Sequence, residues 1–368
     1  MLNHRDLLQL AATFQDRQVL TVYLHASVEN PADRHRWEAE LAHALRSLRD
    51  RTVTAPHADR MALDAAITNL RRWMVERRAS LRAPGVLLVV DEREVVFSTP
   101  IDTAVPNLAM WQHGVLLSPL LREISLGAPA AVLLVDARHV HLYRFAPPRH
   151  LERLETLETH PDLDVERHLG GAHAAFHAGT RGGTVADEMD RQHLAMRDRL
   201  FSEALVRGLE IAGKDGWLVL AGNVRAVTAA RAMVPNSLAR RTLVVDGIDL
   251  HATPFEIAQA VATATMARTE QLDTELVRGI IDEHGARGRG VAGLRATRAM
   301  LDREGVADLI LSERFVELFP TDTDDLMRHA FSQGALVREV HGAAAEEIDE
   351  RAEGVVARLR FAMPWMNN

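Results

Sequence analysis

Cysteine is absent from this 368-residue chain, which excludes disulfides, thiolate nucleophiles, cysteine-ligated zinc and iron–sulfur clusters together. Lysine is almost absent: Lys214 is the sole one, so 42 of the 43 basic residues are arginine. The coding bias of a GC-rich genome accounts for that skew, and composition alone does not make an RNA-binding protein. Long apolar runs are missing as well. The longest stretch without Asp, Glu, Lys or Arg, residues 103–121, contains Pro106, His113 and Pro119 and is a poor spanning helix. The opening Met1-Leu2-Asn3-His4-Arg5-Asp6 has no basic run followed by an apolar core, so no signal peptide is expected. What is present is 47% apolar residues, enough to build real cores, and a net charge of −8. These point to a soluble, cytoplasmic protein without membrane partners, in which any nucleic-acid contact comes from a local patch.

Periodicity predicts α/β structure throughout. Residues 19–25 (VLTVYLH) form a strand, and 34–49 an amphipathic helix through Trp37, Leu41, Leu45 and Leu48. A second helix covers about 58–81, followed by strands 85–91 and 95–98; the segment with Pro100, Pro106 and Pro119 reads as a link. Residues 130–136 and 139–145 form a hairpin. The Gly-, His- and Ala-rich segment 161–184 then has no period, and segments that long are often functional. A helix follows over 185–211, then strands 217–221 and 242–246. Thr253-Pro254-Phe255-Glu256 opens a further helix with a capping box. A third block of alternating helix and strand runs from about 275 to 361. The expected domains are 1–127, 128–270 with its loop 161–184, and 271–368.

Few motifs carry chemistry. Gly288-Arg289-Gly290-Val291-Ala292-Gly293 fits the dinucleotide-binding pattern, but a helix rather than a strand precedes it, so a connector is expected. The lone Lys214 follows only Gly213, so there is no P-loop. No G-x-S-x-G elbow anchors a serine triad. His168, His173 and His177, with Asp162, Asp164 and Glu166, match no zinc-helix spacing. No metal and no cofactor are therefore expected, and a metal-dependent hydrolase built on those histidines is kept as a distant alternative.

The most informative stretch is His177-Ala178-Gly179-Thr180-Arg181-Gly182-Gly183-Thr184, leading straight into the long helix. Here the sequence resembles the middle domain of the archaeal and eukaryotic class 1 release factors and of Pelota. In the release factors a Gly-Gly-Gln loop precedes such a helix. Arg181-Gly182-Gly183 falls at the matching place, and Thr184 stands where the glutamine would be. The likeness continues through Trp217-Leu218-Val219-Leu220-Ala221-Gly222 and through Gly305-Val306-Ala307-Asp308-Leu309-Ile310-Leu311, covering roughly 128–361. Around Val22-Tyr23-Leu24 the first block is similar to the bacterial branch of the family.

The resemblance implies three α/β domains: a bacterial-type N-terminal domain, an RNase H-like release-factor middle domain and a small α/β sandwich at the C-terminus. It implies a ribosome-binding protein that occupies the tRNA site in ribosome rescue or dormancy (hibernation). Its partners would be the ribosome and its RNA, together with a translational GTPase. His177, Arg181, Gly182, Gly183 and Thr184 would form the ribosome-binding loop, with Thr184 in the catalytic place. Arg138, Arg144, Arg149 and Arg153 are candidates for a basic patch. Threonine is shorter than glutamine and has no amide, so efficient peptidyl-tRNA hydrolysis is not expected. An active hydrolase using the Gly-Gly-Thr loop is the first alternative, since a main-chain N–H can still stabilise an oxyanion.

Overall fold

The computed structural model describes residues 4–25, 36–77, 84–101, 105–125, 128–159, 185–214 and 216–362. Its chain is α/β with three sheets, and it divides into two compact units, 1–126 with 270–368, and 127–269.

The first unit begins with α1 (His4–Phe14) and β1 (Gln18–His25), then α2 (Arg36–Arg51), α3 (His57–Arg77), β2 (Gly85–Val90), β3 (Val95–Ile101), β4 (Leu108–His113) and α4 (Ser118–Ser125). The strands form an antiparallel sheet in the order β3-β2-β1-β4. Strand β1 is central and apolar on both sides, and alternation splits it cleanly. Leu20, Val22 and Leu24, with Leu88 and Val90 of β2, pack with Leu41, Leu45, Leu63 and Ile67 of α2 and α3. Val19 and Tyr23, with Leu87 and Val89, face the opposite way into a second core. That core also holds Met300, Leu309, Leu311, Leu326 and Phe331, all from the other end of the chain.

The C-terminal segment completes this unit with the end of a long helix, α7 (Pro254–Gly285), and then β10 (Gly290–Ala292), α8 (Leu294–Leu301), β11 (Val306–Ser312), α9 (Glu313–Leu318), α10 (Pro320–Ser332), β12 (Leu336–Val340), α11 (Gly342–Ala352) and β13 (Val355–Leu359). The sheet order is β10-β13-β11-β12, with β11 and β12 parallel. The sequence separates 1–127 from 271–368, whereas the structure joins them through one shared core. The reason is visible in β1 and β2: strands apolar on both faces need a cover on each side, and α2 and α3 cover only one.

A buried polar tie reinforces the join. Asp324 of α10, fully buried, accepts hydrogen bonds from the Leu117 N–H (2.6 Å) and the Gln112 side-chain amide (3.0 Å) and pairs with Arg328 (2.8 Å).

The second unit contains β5 (Ala130–Val135), β6 (His139–Ala146), β7 (His150–Glu158), α5 (Val185–Ala212), β8 (Trp217–Gly222), α6 (Val224–Ala232), a 3-10 turn (Asn236–Arg241), β9 (Thr242–Val245) and the start of α7 (Pro254–Gly285). Its sheet order is β7-β6-β5-β8-β9: an antiparallel meander, then two strands parallel to β5. Helix α5 lays Leu200, Phe201, Ala204 and Leu205 on the face that carries Leu133, Leu142, Leu218 and Leu220. Residues 254–285 form one continuous helix of 32 residues, so the two helical stretches read separately in the sequence are one. The capping box forms as expected: Thr253 N–H donates to Glu256 (2.8 Å), and the Glu256 N–H donates to Thr253 Oγ1 (3.3 Å).

The glycine pattern at 288–293 has a packing explanation. Helix α7 ends at Gly285 and no strand precedes Gly288, which excludes the dinucleotide turn. A Cβ on Gly290 would lie 1.9 Å from the Ile280 carbonyl oxygen and 2.6 Å from the His284 nitrogen, so only glycine lets β10 run this close to the backbone of α7. Val291 is the middle residue of β10, and the next helix starts at Leu294 after Gly293 at φ +92°. Replacing Gly290 with Ala should lower the unfolding free energy in urea by about 3 kcal/mol, the upper end for overpacking; an unchanged midpoint would contradict the packing account.

Candidate functional site

The residues that carry the resemblance fall on a connection. Residues 160–184 link β7 to α5, and His177, Arg181, Gly182, Gly183 and Thr184 lie outside the described residues, as do His168 and His173. The flanks are described. Helix α5 begins at Val185, the residue after Thr184, and runs for 28 residues before docking ends at Ala212. A close approach sets how it lies on the sheet: a Cβ on Gly208 would sit 2.7 Å from Leu133 Cδ1 and 3.1 Å from Leu218 Cδ1.

The four candidate arginines are placed by the β6–β7 hairpin. Arg138 stands in the turn before β6 and Arg149 in the turn after it, both exposed. An eight-residue strand separates them, on the order of 25 Å. Arg144 lies opposite Glu152 and Arg153 opposite Tyr143, so alternation sends Arg144 and Arg153 to opposite faces of the sheet. Arg144 pairs with Glu152 at 3.2 Å, and the Arg153 guanidinium donates to Thr156 Oγ1 at 2.6 Å. On the α5 face Arg207 bonds Glu155 and, at 2.8 Å, Glu203. The arginines therefore line both faces and both ends of one hairpin and do not converge on one point.

The β5–β6 turn is held by Asp136, whose carboxylate accepts the N–H groups of Arg138 and His139, each at 2.6 Å. Burial alone would raise its pKa; these N–H donors and the His139 ring bring it below the ordinary value. On the opposite face His141 is shifted down, first by burial and then by the nearby positive charge of Arg153.

A second grouping, which the sequence reading did not single out, lies in the other unit. Strands β11 and β12 are parallel with Leu311 opposite Glu339 and Ser312 opposite Val340; one step further, Glu313 and His341 meet at the carboxyl ends of the two strands. Glu339 is 3% exposed. His341 Nδ1 is 3.1 Å from Glu313 Oε2, and its Nε2 is 3.8 Å from Glu339 Oε1. Arg122 of α4 approaches Glu313 Oε1 at 3.4 Å, and Ser125 Oγ accepts the Glu339 N–H at 3.0 Å. Burial pushes the Glu339 carboxyl up to about 7, against the pull of His341 and Arg122 and reinforced by Glu313 and Glu317. The one signal in the sequence is an acid two residues after Val337, on the inward side of Leu336-Val337-Arg338-Glu339-Val340.

Among the described residues, no helix is long and apolar enough to cross a membrane. No protein-family profile matches the chain, and no curated protein matches it in sequence. Solved structures do. The chain is similar to the yeast (S. cerevisiae) protein Dom34, described as a translation termination-like factor involved in RNA quality control, at 8% identity over 81% of this chain and 80% of that one, with a TM-score of 0.46. It is similar to an archaeal Pelota described as ribosome-bound, at 12% identity over 76% and 78%, TM-score 0.43. It is also similar to the archaeal translation termination factor aRF1, at 17% identity over 98% and 99% of the two chains, TM-score 0.27.

Proposed function

We propose that this chain is a release-factor-like protein that binds the ribosome and occupies a tRNA site there, in rescue or dormancy, without efficient hydrolysis of peptidyl-tRNA. One observation carries the reading: Arg181-Gly182-Gly183-Thr184 immediately precedes the first residue of a 28-residue helix docked on a five-stranded sheet. The reading gives this chain the kind of role that the descriptions of the similar proteins state for them. It rests on the chain's own segment and helix, not on those scores. The unit 127–269 is then the release-factor-like middle domain, RNase H-like in its strand order, and the segment 160–184 is its ribosome-contacting loop. Arg138, Arg144, Arg149 and Arg153 supply positive charge around its base, offsetting the acids of the segment. A translational GTPase is the further partner under this reading.

The test is cosedimentation of the purified chain with 70S ribosomes through a sucrose cushion. Binding at low salt that weakens steeply as salt is raised is the expected result, because phosphate contacts release counterions. No cosedimentation at low salt would remove the ribosomal role.

A further inference from the structure

We propose that His341 and Glu339, with Glu313 behind the histidine, form a binding site for one divalent transition-metal ion of the Zn²⁺ class. Two buried polar atoms carry the inference. His341 Nε2 and Glu339 Oε2 are both buried, and neither has a hydrogen-bond partner. A buried polar group left unpaired costs free energy on the order of 1–3 kcal/mol, and here two of them belong to side chains that face each other. The gap between His341 Nε2 and Glu339 Oε1, 3.8 Å, is too long for a hydrogen bond. It is close to the separation of two ligands each about 2.0–2.2 Å from one metal ion.

The rest of the arrangement orients those two groups. Glu313 Oε2 faces His341 Nδ1 at 3.1 Å, and a proton on Nδ1 donated to that carboxylate leaves the Nε2 lone pair directed at Glu339. This is the carboxylate–histidine–metal relation by which a second carboxylate fixes the tautomer of a liganding histidine. Arg122 holds the other oxygen of Glu313 at 3.4 Å, and Ser125 fixes the backbone of Glu339. One ligand atom from each of Glu313, Glu339 and His341 lies within 4.8 Å of the others. One imidazole nitrogen with carboxylate oxygen, in a chain without cysteine, suits a borderline cation such as Zn²⁺ or Co²⁺. The rival arrangement is closure of the gap into a direct hydrogen bond between Glu339 and His341, with no ion bound.

The experiment uses the full chain, stripped with a chelator and dialysed, titrated with Co²⁺ while visible absorption is followed, and then with Zn²⁺ as competitor. Saturation at about one ion per chain, displaced by Zn²⁺, is expected. Glu339→Gln and His341→Gln should each weaken binding at least tenfold, and Glu313→Gln about 10–100-fold, the usual loss for a group that orients a ligand. Circular dichroism checks that each variant is folded. The four histidines of segment 160–184 are the competing site, so the X-ray absorption spectrum of the Zn²⁺-loaded wild type decides independently of the variants. A shell of oxygens with one imidazole supports the assignment. A shell with two or more imidazoles, binding unaltered by Glu339→Gln, or no stoichiometric binding overturns it.

Discussion

Asp324→Ala is expected to lower the unfolding free energy of the unit built from 1–126 and 270–368 by about 3–5 kcal/mol, the cost of breaking a buried charge network by removing one partner. Asp324 is fully buried. Its loss strands the Leu117 N–H and the Gln112 amide, which it binds at 2.6 and 3.0 Å, and takes one carboxylate from Arg328. Asp324→Asn keeps an acceptor for Leu117 and should cost less, about 1–2 kcal/mol. The two variants also differ from wild type in their dependence on pH. Burial raises the Asp324 carboxyl pKa, against the opposing pull of Arg328 and of the hydrogen bonds from Leu117 and Gln112. A raised folded-state value means that this group's stabilising share is full below its ordinary value of 3.8 and is lost as pH rises through the raised value. Asparagine cannot ionise, so urea midpoints of Asp324→Asn across acidic pH should lack that component. A midpoint for Asp324→Ala within experimental error of wild type would show that the shared core needs no polar tie.

The second large effect concerns chemistry. Peptide release from ribosome-bound peptidyl-tRNA by the wild-type chain should be slower by about 100-fold or more than release by a glutamine-bearing factor. Under the proposed function Thr184 takes the place of that glutamine; its hydroxyl lies about two bonds nearer the backbone than a glutamine amide, and a misplacement on the order of 1 Å costs about 100-fold in rate. Thr184→Gln should then raise release measurably in the same assay. Wild-type release at the rate of a dedicated factor would favour the active-hydrolase alternative, with the main-chain N–H of Thr184 as the oxyanion donor.

Much of the fold is legible in the sequence where one period dominates. The apolar runs of β1, β2, β5 and β8 announce buried strands, and α2, α3 and α5 show a helical period. Other elements are hidden for identifiable reasons. Strand β7 carries Leu151, Leu154 and Leu157 at spacings of three, which is no strand period. The irregularity in its pairing with β6 at Leu142/Tyr143 shifts the alternation midway. Strand β4, six residues between Pro106 and Gly114, opens with the unbroken apolar run Leu108-Ala109-Met110-Trp111, which has no alternation of apolar and polar residues, and only Ala109 of it is buried. The shared core of 1–126 and 270–368 is tertiary: the doubly apolar β1 says that a second cover exists but not which segment supplies it. The Glu313, Glu339 and His341 grouping depends on the parallel register of β11 and β12, which no short spacing encodes. The glycine-rich segment is the reverse case: conspicuous in sequence, it lies outside the described residues.

The claim that the chain occupies a tRNA site is tested most directly by cosedimentation with two preparations of ribosomes at low salt, one with a vacant aminoacyl site and one with that site filled by tRNA. The account predicts retention on the vacant ribosomes, loss from the filled ones, and weakened retention when Gly182 and Gly183 are both replaced by Ala, since these glycines admit a backbone path or a close approach that alanine does not. Equal binding to vacant and tRNA-filled ribosomes, or binding indifferent to the double substitution, would contradict it.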